Sequence, residues 1–237
     1  MDNDLVSSVP TSNPDKDALT DYGLTAVSAL IPVVGGAIAD ATRGIIARRA
    51  EERRHEFDVM LAEAVTDLTG RVEDITPQSM VDSDEFMAAI AKVSRVAAET
   101  ESVEKRKRLA TALTHMGPWS AIDPTRRQHL LDLVARYDDL DIFLLRYFRD
   151  PVAWLVENAE TWQPGRYMMA GIQTILGDFV FPGQDGWQPS VSASISRFQA
   201  DGVADVPLKT MMSDSGTVEK RTTMFGEQLL DFISDPA

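Results

Sequence analysis

The chain of 237 residues contains no cysteine. That excludes disulfides, thiolate nucleophiles and Cys-ligated metals, and it fits a cytosolic setting. Basic charge is also scarce: 23 Lys and Arg stand against 37 Asp and Glu, a net charge of −14. So acidic a chain repels phosphate backbones, and nucleic-acid binding would need a local basic face. Catalytic signatures are missing too. There is no P-loop, no G-x-G-x-x-G after a strand and no G-x-S-x-G elbow. The three histidines, His55, His115 and His129, share no metal-ligand spacing and read as surface or helix-end residues. Glu51 and His55 stand at i, i+4 without the second histidine of a zinc motif. No catalytic, metal-ligating or cofactor-binding residue is assigned, and the chain reads as a non-enzyme.

Charge is also absent from one local stretch. Residues 22–39, YGLTAVSALIPVVGGAIA, carry none, and the text then turns to RRAEERR at 48–54. The uncharged run lies at the lower edge of the length needed to span a bilayer as a helix, about 17–25 residues. Pro32 and the pair Gly35-Gly36 weaken a continuous helix across it, whereas Pro32 is well tolerated in the first turn of a helix beginning near Val33. Three readings follow. The run is a buried helix whose glycines permit close packing, a docking or self-association element, or a membrane-inserting segment followed by basic residues. Its interaction residues would be Leu30, Ile31, Val33, Val34, Gly35, Gly36 and Ile38.

The remainder reads as helices. Before the uncharged run, residues 1–21 are rich in Asp, Asn, Ser and Pro and lack a basic start followed by an apolar stretch, so they read as a flexible leader rather than a secretory signal. Phe57, Leu61, Ala64 and Leu68 form one helical face, and Gly70 is a natural stop. The stretch from Ala47 to Glu56 has only alanine for apolar residues and reads as wet on most sides. Asp84 stands as a cap for a helix with Phe86, Ile90, Val93 and Ala97 on its inner face. A second helix runs from about Ser102 to Met116, and its EKRKR run reads as a solvated face. These elements predict a helical N-terminal domain over 22–118.

From 123 to 235 the pattern is similarly helical. Asp123-Pro124 and Asp150-Pro151 start helices with an acceptor followed by proline. Leu140, Phe143, Leu144, Tyr147 and Phe148 mark the most apolar helical face in the chain, and helix capping accounts for the nearby Asp138, Asp139 and Asp141. Met169, Ile172 and Leu176 repeat helically. Trp154, Trp162, Tyr167 and Trp187 read as core filling beneath loops. A helix through Val191, Ile195 and Phe198 stops at Asp201-Gly202. The next twenty residues read as two strands around a turn at Asp214-Ser215-Gly216, before a last helix capped by Thr222 or Thr223.

A helix ending in ADG, a two-stranded wing and a final helix opened by RTTMFGEQLLDFI together resemble a winged-helix domain. The resemblance implies a mainly α fold with a small β-wing, and a module that binds DNA, RNA or protein. If DNA is read, the contacts would be Arg197 on the helix before the wing and Lys209, Lys220 and Arg221 at the wing. From Pro124 onward ten Lys and Arg face sixteen Asp and Glu, a net of −6, which favours a packing or protein-contact role over DNA. ALIPVVGGAIADATRG followed by an Arg/Glu-rich helix also resembles small bacterial proteins, some of them associated with phages or phage defence. The expected function is a non-catalytic interaction or regulatory protein, cytoplasmic, that self-associates or docks a protein partner through residues 24–46. The alternatives are a membrane-active defence effector inserting 22–46 and a winged-helix transcriptional regulator.

Overall fold

The computed structural model describes residues 36–72 and 74–234, with side chains from residue 45 onward. It is mainly helical, with eleven α-helices among the described residues and one small two-stranded antiparallel sheet. Contacts divide the chain into Met1–His55 and Glu56–Ala237.

Helix α1, Gly36–Arg71, belongs in part to each unit. Within the first unit, nearly every described side chain from Ile45 to His55 is exposed, including both isoleucines. Arg48 Nε lies 3.5 Å from Glu52 one turn on. The helix continues one residue past Gly70.

The second unit holds one apolar core, from Phe57 to Ile233. Phe57 is fully buried, and Met60, Leu61, Val65 and Leu68 pack at its margin. The same core joins helices on either side of residues 118–123. Helix starts are set by local chemistry. In the short α2, Pro77–Val81, Thr76 and Ser79 form a reciprocal capping box. The cap of α3, Asp84–Glu99, is Ser83, whose hydroxyl accepts from the Phe86 amide, and Asp84 is instead the first helical residue. Ser102 caps α4, Val103–Thr114, which packs beside α3. Asp123 caps α5, Pro124–Arg136; Asp138 caps α6, Asp139–Arg149; and Asp150 caps α7, Pro151–Asn158. Each such cap is worth about 1 kcal/mol. Asp138 and Asp141 bond reciprocally, which fills the first-turn role expected of the acidic cluster.

Two expectations need correction. The EKRKR run is not a solvated face. Arg106 and Arg108 are buried; Arg106 binds Glu56 and the Thr100 carbonyl, and Arg108 binds Asp139. The sheet is not a hairpin within 203–222. Strand β1, Met169–Ala170, pairs with β2, Met212–Ser213, and Asp214–Thr217 is a helical turn, α10. The Ser213 hydroxyl caps that turn by accepting from the Gly216 amide. The Asp214 carboxylate then accepts from the amides of Gly165 at 2.7 Å and Tyr167 at 3.1 Å, drawing 165–170 beside 212–213. The two ends of the expected wing still meet through a single Ala204–Thr222 bridge.

Between the strands lie α8, Ile172–Ile175, which runs on into a π-helical turn at Leu176–Val180, and α9, Trp187–Asp201. Helix α9 ends at Gly202, whose φ of +69° is the left-handed C-cap geometry that glycine favours. Helix α11, Met224–Phe232, is capped by Thr223. At Gly226 a Cβ would stand 2.1 Å from the Val203 carbonyl oxygen, so this close helix–backbone approach requires glycine.

Candidate functional site

Of the seven apolar positions expected to make contacts, Leu30, Ile31, Val33, Val34 and Gly35 lie outside the described residues. Gly36 and Ile38 are in the first turn of α1. On the same helix, Ile45 and Ile46 are adjacent and exposed. Next come the exposed Arg48, Arg49 and Arg54. An apolar pair followed by a charged, uncovered helical stretch is what the described residues place here.

The four expected nucleic-acid contacts are not a common cationic surface. Arg197 on α9 turns to its own fold: Nη2 donates to Asp141 at 2.5 Å and to the Ser194 hydroxyl at 3.2 Å, with Asp138 3.7 Å away. The bond to buried Asp141 pushes the already high Arg197 pKa higher still. Lys220 pairs with Glu227 at 3.1 Å. Arg221 donates to the Gly216 carbonyl at 2.6 Å and lies 3.5 Å from Glu219. Lys209 is exposed. Three of the four cations therefore have internal partners, which quench the field a phosphate backbone would feel.

Sequence reading missed a shallow cleft of about 520 Å³ lined by Lys92, His129, Asp132, Ala135, Arg136 and Asp201. His129, Asp132 and Arg136 share one face of α5, Lys92 comes from α3 and Asp201 from the end of α9. Its charges are balanced in pairs: Lys92 binds Asp132, and Arg136 lies 2.7 Å from Asp201. Asp201 also accepts from the Tyr137 hydroxyl at 2.8 Å. Burial first, then this hydrogen bond, raises the Tyr137 pKa well above its usual range, so the phenol stays protonated. The lining includes no hydroxyl or thiol nucleophile and is open to solvent. The helical spacing of His129, Asp132 and Arg136 was visible in sequence; their partners, on other helices, were not.

Among the described residues, no group of three His, Cys, Asp or Glu is arranged to hold a metal, and no helix is long and apolar enough to cross a membrane. Trp154 packs edge-on against Phe143 and Tyr147, and Trp187 stacks on Phe181 at 5.1 Å, which makes this aromatic group a packed layer. His115 caps α4 and stacks on Phe232 with ring centroids 5.1 Å apart. Neither family models, curated proteins nor solved structures gave a match to this chain.

Proposed function

We propose that this protein is a non-catalytic interaction protein, regulatory in role, that self-associates or docks a protein partner through residues 24–46. The observation that carries this reading is the exposed pair Ile45 and Ile46, on the helix that begins in the uncharged run. At 48% and 39% exposed, the surface these two side chains still offer is worth about 1 kcal/mol each when covered. The internal pairing of Arg197, Lys220 and Arg221 counts against DNA as the partner. Light scattering of the full chain tests the proposal. The wild type is expected to assemble, and Val34→Asp and Ile46→Asp are each expected to give a folded monomer with unchanged far-UV circular dichroism. Assembly unaffected by both substitutions, or a wild type monomeric at every concentration with no partner retained by it alone, overturns the reading.

A second reading rests on the exposed Arg48, Arg49 and Arg54 that follow the uncharged run, which suit contact with anionic lipid. Flotation with vesicles containing anionic lipid, but not with neutral vesicles, would favour it over protein docking.

A further inference from the structure

The small sheet carries sulfur on both strands. Met168 and Met169 lead into and through β1, and Met211 and Met212 do the same for β2. The register pairs Met169 with Ser213 and Ala170 with Met212. Side chains alternate between faces along a strand, so, carried one residue beyond each strand, this register sets Met211 diagonally beside Met169. These thioethers face solvent: Met168 is 94% exposed, Met169 59% and Met211 58%. Met212 is half-buried, with its sulfur 3.4 Å from Arg221 Nη2, and so is anchored to the fold. Elsewhere, Met80 and Met116 are 1% and 0% exposed. With no cysteine in the chain, no thiol competes for an oxidant.

We propose that this methionine ribbon is an oxidation site: peroxide converts to sulfoxides the exposed thioethers of Met169 and Met211, on one face of the sheet, and of Met168, on the other, and makes the ribbon more polar without unfolding the protein. In each event the peroxide O–O bond breaks and one S–O bond forms. The sulfur gives up two electrons, and the peroxide's second oxygen leaves as water. Susceptibility of a thioether follows its exposure, and the sulfoxide adds a strong acceptor where a flexible apolar side chain stood. The short strands are held by backbone pairing and by the Asp214 carboxylate, neither of which uses the oxidised sulfurs. Met224, 77% exposed on the first turn of α11, is an exposed methionine outside the ribbon and serves as a comparator.

The test uses the full chain, hydrogen peroxide and peptide-level mass spectrometry over time. Met168, Met169 and Met211 are expected to gain oxygen about tenfold faster than Met80 and Met116, with far-UV circular dichroism unchanged. Retention on a hydrophobic-interaction column is expected to fall as they do so. In M168L/M169L/M211L, peroxide still oxidises Met224, and the loss of retention is expected to be clearly smaller than in the wild type. Equal rates at Met80 and Met116 would show that oxidation proceeds through opening of the core, and would overturn the proposal. So would an equal loss of retention in the triple variant.

Discussion

The described residues up to His55 and those from Glu56 onward draw on the same arginines and carboxylates to different ends. In the first stretch Arg48 meets Glu52 one turn away, in full view of solvent. In the second, Arg95 still meets Glu99 one turn on, but three other arginines reach carboxylates far along the chain: Arg106 to Glu56 across 50 residues, Arg127 to Glu85 across 42 and Arg197 to Asp141 across 56. An exposed pair one turn apart adds a few tenths of a kcal/mol to a helix. A buried arginine that meets a distant carboxylate fixes which helices pack together, and removing it strands its partners. The same pair of residue types therefore yields a solvated helix in one place and cross-links between helices in the other.

The sharpest way to break this comparison is to remove one arginine from each side. Arg127 is buried, grips Glu85 through Nε at 2.9 Å and Nη2 at 2.6 Å, and donates to the Ser120 and Ile122 carbonyls. Arg127→Ala is expected to cost about 3 kcal/mol in urea unfolding. Arg48→Ala should change stability by less than about 0.5 kcal/mol. Equal costs would mean that the two regions do not differ as described.

A smaller effect separates two buried tyrosines within the second unit. Tyr137 donates to Asp201, whereas the Tyr147 hydroxyl is buried without a hydrogen-bond partner among the described residues. Tyr137→Phe is expected to cost about 1.5 kcal/mol, since it ends a hydrogen bond to a charged acceptor. Tyr147→Phe should be neutral or stabilising by up to about 1 kcal/mol, because it removes an unsatisfied buried hydroxyl. Thermal melts of both variants check this, and a costly Tyr147→Phe would contradict the packing described.

The smallest expected effect is pH-dependent. Burial, with Arg71 adding to it, lowers the His115 pKa below its ordinary 6.5. Below pH 6.5 the unfolded chain takes up a proton there that the folded chain resists. Stability is thus lost as pH falls from 6.5 through the folded-state value. His115→Gln is expected to lessen the drop in urea midpoint between pH 7 and pH 5. An identical drop in the variant would remove His115 from the acid response.

Helix starts were legible because a cap is a contact between residues two or three apart. Asp123-Pro124, Asp138 and Asp150 each do what their local sequence implies. The one-residue shift from Asp84 to Ser83 reflects two good acceptors side by side, of which only one can take the cap geometry. The small two-stranded sheet was expected, but its pairing was not legible, for the opposite reason. Its turn residues prefer a helical turn once Ser213 caps it, and the partner strand is recruited by Asp214 from 47 residues earlier. Of the expected interaction residues, only Gly36 and Ile38 fall among the described residues, and the exposed Ile45 and Ile46 lie farther along the same helix, beyond Asp40 and Arg43. The cleft beside His129 was not legible, because its lining comes from three helices.

Sequence alone determined the mainly helical class, most helix boundaries and the wet, charged character of residues 47–56. Those follow from periodicity, caps and the absence of apolar side chains, all short-range properties. Tertiary structure alone decided that Arg106 and Arg108 are buried cross-links rather than a solvated face, that Met169 and Met212 lie on paired strands, and that Tyr137 has a hydrogen-bond partner among the described residues while Tyr147 has none. Each of these depends on which distant group arrives beside the residue, and that is set by how the apolar faces close over one another, not by the neighbours in the chain.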